Sequence, residues 1–505
     1  MKSFRKIGLV MGLMVFSLTV AAAQNDPGQA YFNRGNFELA AQYWHEALSN
    51  ENNSKRYIDT SVRLSAAYVS LGRLKEAFRV LETALPVADK IDDPVRQASV
   101  LMQFSDVYLA MRDFQENRMD CGMKKITQDI IPFLEEETLT PKGMINEALY
   151  YLEESEKAAT KIDPEKKKYP LLWANILNRE GNIQLLEAFR LYELGGDYEE
   201  KANNVFKNIY QESIDLAERK VEVQVDAQVL KAKMLINRFS GYVQLEEYTD
   251  EIQKELKNQN IYRQVEKLPN SHDKAFAFIS LAQLMLTNAS SSQINEKLRG
   301  YIYYTLIKAI EIAEELGDNS AIAYAKFYLA QLYEEEAKHE NEKRQKAKLY
   351  DKAISLTREA IFYIQNYPRL HTKLQKELWG YPELLFRLEW HLGNVLKAQK
   401  HDHPQKTTIA DAYEHAHKHL QLVRKGYGSL SQAFLKEAKQ FYFDWADFLL
   451  QQASKISDAS EKQEQLKEAI KVVEWFEAAE VRDYFRDDCI TRRLEEKVQH
   501  LDDNL

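Results

Sequence analysis

The chain has 505 residues, enough for several compact domains or for one long helical array. Its 45% hydrophobic content excludes wholesale disorder, and a formal net charge of -9 disfavours nucleic acid as a partner, because an acidic surface repels phosphate groups. The 17 glycines and 11 prolines are few for this length, against average usage of about 7% and 5%. We therefore expect few turns and long helices.

The first 23 residues have the pattern of a secretory signal peptide. Lys2, Arg5 and Lys6 give a positive start, residues 7–20 are apolar, and three alanines at 21–23 form a small-residue cleavage site. Loss of the three positive side chains takes the formal charge from -9 to -12. No later stretch has the ~18 consecutive apolar residues of a transmembrane helix. We expect a soluble mature chain, periplasmic or secreted, without a lipid anchor.

A recurring spacing of small and aromatic residues begins just after this segment, in residues 28–48. Steps of four, five and seven residues occur twice, first through Tyr31, Gly35, Ala40 and Ala47 and then through Tyr68, Gly72, Ala77 and Ala84. The two glycines are 37 residues apart, because 72 minus 35 is 37. This period is close to the ~34 residues of a tetratricopeptide unit. The chain resembles the tetratricopeptide repeat family.

Each of these residue types has a physical role in a pair of antiparallel helices. Glycine at 35 and 72 allows the positive φ of a tight turn, and alanine lets neighbouring helices approach closely. One such pair cannot bury its apolar face alone, so pairs must stack. We predict an all-α, right-handed tetratricopeptide-like solenoid of stacked antiparallel helix pairs. Its concave surface is expected to be lined by the first helix of each pair.

Further along the chain, the pattern weakens in the centre and then returns. A charged break flanked by prolines covers 163–170, and another polar interruption covers 267–273. In the later part, Ala353 and Ala360 recover the seven-residue step. The predicted division is a signal peptide at 1–23, N-terminal repeats at 24–162, degenerate central repeats at 163–270, C-terminal repeats at 271–428 and terminal helical pairs at 429–505.

Several later segments carry a second resemblance, at 313–318, 330–334, 386–399 with Gly393, 443–451 and 479–489. They resemble the helical region that precedes the caspase-like peptidase domain of bacterial CHAT proteins. In that family the peptidase domain begins shortly after the last segment, whereas only sixteen residues, 490–505, follow here. The resemblance implies that the catalytic His and Cys are absent, that Cys489 belongs to the junction, and that a separately encoded caspase-like peptidase is the partner.

Candidate chemical sites are few. His415 and His419 are four residues apart, so on a helix they share a face and could chelate a metal with His401, His403 or Glu414 as a third ligand. A solvated helical face explains the same pattern, and we predict no metal and no cofactor. The two cysteines, Cys121 and Cys489, are far apart in sequence, and no disulfide is expected.

The sequence contains no phosphate-binding loop, nucleophile elbow or zinc-protease helix. We therefore predict a non-enzymatic scaffold that binds peptides or partner domains along its concave face, with a further docking contribution from residues 475–485. Two alternatives stay open. One is an enzyme, or the remnant of one, that uses the His-rich segment as a metal site; the other is a structural protein that organises the envelope.

Overall fold

The computed structural model describes residues 26–115, 141–220, 225–245, 248–289, 296–365, 382–399, 406–427 and 432–485. These residues form helices joined by turns, with no strand among them. The helices divide into two compact units. The first unit comprises the described residues of Met1–Met111 and Met144–Leu332, and the second those of Arg112–Gly143 and Tyr333–Leu505.

The helices of the first part of the chain are long and follow one another through short turns. In order they are α1 (Pro27–Asn33), α2 (Phe37–Ser49), α3 (Ser54–Ser70), α4 (Leu74–Lys90), α5 (Pro94–Gln115), α6 (Pro141–Ile162), α7 (Pro170–Glu193), α8 (Glu199–Asn204), a π-helical turn (Val205–Ile209), α9 (Tyr210–Glu218), α10 (Val225–Leu245), α11 (Thr249–Asn258), α12 (Asn260–Glu266), α13 (His272–Ala289) and α14 (Glu296–Leu316).

The remaining described helices complete the chain order. They are α15 (Asn319–His339), α16 (Lys343–Gln365), α17 (Pro382–Gln399), α18 (Lys406–Tyr427), α19 (Gln432–Ala453) and α20 (Ala459–Phe485). None of the helices in the described residues is long and apolar enough to cross a membrane.

The turns inside helix pairs of the first unit reuse one glycine geometry. After α1, Gly35 has φ 76°, and the next amide, that of Asn36, donates to the carbonyl of Tyr31 at 2.9 Å. This is the left-handed helix cap that glycine adopts without a Cβ penalty. The same conformation recurs at Gly72, Gly195 and Gly317, with φ of 71°, 69° and 68°.

Helices that are next or near neighbours in the chain contact one another. In the first unit α1 packs on α2, α2 on α3, α3 on α4, α7 on α9, and α13 on α14. In the second unit α16 packs on α17, α17 on α18, and α19 on α20. Burying an apolar face on the next helix is how a repeat array obtains its stability. The predicted all-α helical-repeat solenoid is confirmed; its handedness stays a prediction.

The central repeats depart from regular geometry at two places. A Cβ added at Gly241 of α10 would lie 2.6 Å from Phe206 Cε1 in the π-helical turn and 2.9 Å from Leu185 Cδ2 in α7. Between α11 and α12, Gln259 has φ 52° and breaks what would otherwise be one helix. These features account for the weak repeat pattern of the centre.

The predicted domain boundaries are not the boundaries between these units. The breaks at 162/163 and at 270/271 both fall inside the first unit. The five-part division therefore stays a prediction, and its signal-peptide segment, 1–23, lies outside the described residues.

We expect Gly241→Ala to destabilise the protein by about 1–3 kcal/mol, because the new methyl group overpacks the contact with Phe206. Gly300, in α14, has no heavy atom within 4 Å of an added Cβ. Gly300→Ala should therefore stabilise by up to about 1 kcal/mol through helix propensity alone. Urea unfolding followed by circular dichroism measures both variants, and equal effects of the two would contradict the close approach at Gly241.

Candidate functional site

The residues that define the repeat pattern do not form one site. Six lie in the core, namely Ala40, Ala77, Ala84, Ala353 and Ala360, each 0% exposed, and Tyr68, 6% exposed. Gly393 is buried, and a Cβ there would lie 3.3 Å from the Tyr413 ring. Tyr31 is half-buried, Gly35 and Gly72 make turns, and Ala47 is exposed. Their geometry builds the helix pairs, and Ala47 makes no close approach of the kind its spacing predicted.

A different set of residues connects the first helices of consecutive pairs in the first unit. We call these contacts the polar bridges. They are Asp26–Arg63 between α1 and α3, Asp59–Arg96 between α3 and α5, Asp106–Arg179 between α5 and α7, Asn178 and Asn182 with Asn237 between α7 and α10, and Lys233–Asp273 between α10 and α13.

The α5–α7 bridge is the most deeply buried. Arg179 Nε donates to Asp106 Oδ1 at 2.9 Å and Arg179 Nη2 donates to Asp106 Oδ2 at 2.7 Å, and the two side chains are 7% and 4% exposed. A planar guanidinium and a carboxylate make two parallel bonds in this geometry, which fixes both distance and orientation. The equivalent Arg96–Asp59 pair is 23% exposed at both side chains. The register of α7 on α5 is thus set by a paired buried charge.

Amide side chains make the next bridge. Asn237 Nδ2 donates to Asn182 Oδ1 at 3.1 Å, and the Tyr210 hydroxyl donates to the same oxygen at 2.7 Å. Asn178 Oδ1 lies 3.4 Å from Asn237 Nδ2. Because buried polar groups are costly unless they are hydrogen-bonded, this network holds α10 against α7 and α9 in one arrangement.

The last bridge lines a small cavity between α10 and α13. Lys233 Nζ lies 3.1 Å from Asp273 Oδ2, and Asn237, Ile236 and Leu268 complete much of the wall. Burial lowers the pKa of Lys233, and the neighbouring Asp273 carboxylate opposes that shift. The cavity encloses about 20 Å³. That is room for about one water molecule, far below the several hundred Å³ of a small-molecule site.

Some buried polar atoms near the bridges lack a hydrogen-bond partner within the described residues. Gln103 Nε2 and Ser105 Oγ on α5, and Ser65 Oγ on α3, belong to this group. Gln103 is 1% exposed and lies three residues before Asp106, so the two side chains share a face of α5. An unpaired buried amide costs about 1–3 kcal/mol, so its retention calls for an explanation.

The second unit has a comparable ladder between α17 and α19. Arg387 Nε donates to Glu437 Oε2 at 3.0 Å, Trp390 Nε1 donates to Asp444 Oδ2 at 3.0 Å, and Asn394 Nδ2 donates to the same oxygen at 3.3 Å. Each step along α17 is three or four residues, so the three donors share one helix face. The ladder specifies the register of these two helices.

A buried histidine joins α15 to α17. His391 Nε2 lies 3.2 Å from Glu334 Oε2, and His391 Nδ1 lies 3.0 Å from Thr357 Oγ1 of α16. Burial by itself would raise the pKa of Glu334, but the hydrogen bond from His391 and the charges of His391 and Lys338 outweigh it and lower that pKa to about 2. This histidine is therefore a structural contact among three helices.

The two candidate metal ligands of the sequence analysis, His415 and His419, lie on α18. His415 is half exposed, and its Nδ1 lies 3.6 Å from Glu389 Oε1. His419 is more buried, and burial together with the charges of His415 and Lys418 lowers its pKa to about 4. Within the described residues, no group of three or more His, Cys, Asp or Glu side chains is arranged to hold a metal ion. His401, His403, Cys121 and Cys489 lie outside those residues.

The polar bridges were missed by sequence reasoning, although a signal was present. The segment around Gln103 and Asp106 places polar residues within the otherwise apolar run 100–109. Such residues in a helix that is apolar on most sides indicate buried polar contacts. Their partners, such as Arg179, 73 residues from Asp106, give no local clue to the pairing.

Comparison with known proteins adds little to this geometry. No protein-family model matches the chain, and no curated protein matches it. Among solved structures, the crystal structure of yeast Tom70 is similar at 16% sequence identity, covering 94% of this chain and 98% of that chain, with a TM-score of 0.17. At this TM-score positions in the two chains do not correspond, so the fold and site rest on this chain's own contacts.

We expect Arg179→Met to destabilise the first unit by about 3–5 kcal/mol, because it leaves the Asp106 carboxylate buried without its partner. Arg96→Met, at the more exposed equivalent pair, should cost about 1 kcal/mol or less. The double variant Asp106→Leu/Arg179→Met should recover most of the loss. Urea unfolding provides the free energies, and a double variant no better than Arg179→Met would exclude the unpaired charge as the cause.

Glu389 gives a pH-dependent prediction. Burial raises its pKa from 4.5 to about 7, and its side chain is 6% exposed. The folded state therefore favours the protonated carboxyl. The stability that this protonation contributes is fully present below pH 4.5 and is lost as the pH rises through about 7. Glu389→Gln should remove this loss, which is on the order of 3 kcal/mol, and make the variant more stable than wild type at pH 8.

Denaturant midpoints measured from pH 5 to pH 8 test this effect. The matched control is Glu414→Gln, at an exposed position on the neighbouring helix α18, which should follow the wild-type pH profile. If Glu389→Gln has the same pH dependence of stability as wild type, the Glu389 carboxyl does not titrate in this range.

Proposed function

We propose that this chain is an exported, non-enzymatic scaffold that binds an extended segment of a partner protein at the polar side chains that α5, α7 and α10 bury between them, here called the binding surface. One observation carries the proposal: Gln103 Nε2 is buried on the face of α5 that carries Asp106 and has no hydrogen-bond partner in the described part of the chain. A backbone carbonyl of a bound segment is the group that such a donor fits.

The surroundings of Gln103 favour a peptide over other ligands. Gln103 shares a face of α5 with Asp106, which pairs with Arg179 of α7. The asparagine amides between α7 and α10 add further donors and acceptors of the kind that a peptide backbone matches. The cavity at the adjacent Lys233–Asp273 bridge is too small for a metabolite. The acidic net charge of -9 disfavours a nucleic acid.

Export and the identity of the partner rest on sequence. The signal-peptide pattern of residues 1–23 supports a periplasmic or secreted location. The resemblance of segments such as 386–399 and 479–489 to the helical region of CHAT proteins supports a caspase-like peptidase, encoded separately, as the partner. A coding region for such a peptidase beside this one would support the pairing, and a partner of another class would contradict it.

Gln103→Leu provides the sharpest test of the binding surface. Gln103 Nε2 has no hydrogen-bond partner in the described residues, so Gln103→Leu should raise the free energy of unfolding by about 1–3 kcal/mol while weakening partner binding about tenfold or more. Photo-crosslinking in the periplasmic fraction identifies the bound segment, and titration calorimetry with that segment as a synthetic peptide measures the affinity.

A second glutamine on the same helix supplies the control. Gln97 Nε2 donates to Asp89 at the surface, so Gln97→Leu makes the same chemical change away from the proposed surface and should bind as wild type does. Equal affinity for Gln103→Leu and wild type would rule out this surface as the binding site.

A further inference from the structure

The beginning of the first unit contacts its α13–α15 region. The ring of Phe37, at the start of α2, meets the ring of His272, at the start of α13, edge to face with centroids 5.0 Å apart. His272 Nδ1 in turn lies 2.5 Å from Asp318 Oδ2, and the Asp318 side chain is 2% exposed. Residues more than 230 positions apart therefore share one buried contact, since 272 minus 37 is 235.

Gly35 brings the first turn directly against this pair. A Cβ added at Gly35 would lie 2.6 Å from His272 Nδ1 and 3.0 Å from Asp318 Oδ2. Real Cβ atoms essentially never approach other heavy atoms within 3.0 Å. Glycine is thus required at this position for two reasons, the positive φ of the turn and the close approach of α13.

These contacts close a ring of neighbouring helices within the first unit. From α1 the ring runs through α2, α3 and α4, and Phe78 of α4 meets Phe104 of α5 with ring centroids 5.2 Å apart. The Asp106–Arg179 bridge leads to α7, which contacts α10, which contacts α13, and α13 returns to α1. The steps from α1 to α4 are packed helix interfaces and the α5–α7 step carries a buried ion pair, whereas the closing step consists of Gly35 and Phe37 against His272 and Asp318.

We propose that the contact of Gly35 and Phe37 with His272 and Asp318 is a latch that holds the first unit closed. When the latch is closed, the side chains of the polar bridges on α5, α7 and α10 are buried; when it opens, they become accessible to a partner segment. The role in admitting a partner rests on the proposed function, whereas the latch itself is a property of the free protein. A local contact that is weaker than the rest of the fold opens first.

Gly35→Ala tests the latch, and Gly195→Ala is its matched control. Both glycines have nearly the same φ, 76° and 69°, but an added Cβ at Gly195 meets nothing within 4 Å. The control therefore carries the backbone strain without the steric conflict. Hydrogen exchange of the mature protein, read by mass spectrometry, should be at least about tenfold faster at the start of α13 and along α7 and α10 in Gly35→Ala than in Gly195→Ala.

His272→Ala provides a second variant that separates the latch from a general loss of folding. It removes the ring that the new methyl group would meet most closely and leaves the 3.0 Å approach to Asp318 Oδ2, so adding Gly35→Ala to it should accelerate exchange much less than Gly35→Ala does in the wild-type protein. Equal exchange in Gly35→Ala and Gly195→Ala would overturn the proposal. Faster exchange confined to α1 and α2 would also overturn it, because the unit would then stay closed without the contact.

The two proposals fail separately. If the exchange experiment contradicts the latch, the comparison of Gln103→Leu with Gln97→Leu still tests the binding surface, because it measures affinity for the partner segment. Wild-type binding by Gln103→Leu leaves the exchange experiment unaffected, since that experiment uses the free protein.

Discussion

The ion pair between Asp106 of α5 and Arg179 of α7 joins residues that are 73 positions apart in the chain, and it lies almost wholly out of water. A buried charge is strongly destabilising when its partner moves away, so this contact permits only one register of α7 on α5. Helix surfaces lined with alanine and leucine can slide along one another at little cost. A paired charge at the centre of the interface removes that freedom, and the helices stacked on α5 and α7 inherit their positions from it.

Polar contacts that are less buried set the register of other helices in both units. Asparagine amides replace the ion pair between α7 and α10, and Trp390 and Asn394 converge on Asp444 between α17 and α19. In each unit the apolar faces provide the burial, and polar contacts between first helices decide how the pairs align. Specificity obtained in this way sacrifices some stability, because desolvating polar groups offsets part of what their bonds contribute.

This arrangement connects the two proposals physically. Polar groups that are buried in the closed first unit are costly wherever a hydrogen bond is missing, as at Gln103. A partner segment that supplies the missing acceptor gains that energy, provided that the unit can open to admit it. The closing contact at His272 involves a few side chains around Gly35 and Phe37, so opening there requires little loss of burial.

The sequence by itself determined the all-α repeat class, because glycine turns and small residues at a period of 37 reflect local helix geometry. It located Gly35 and Gly72 in turns and Ala40 and Ala77 on helix faces. It did not reveal that Asp106 pairs with Arg179, or that Gly35 meets His272, since neither contact has a local period. Only the tertiary structure decided which polar residues meet, because those distances depend on how every intervening helix stacks.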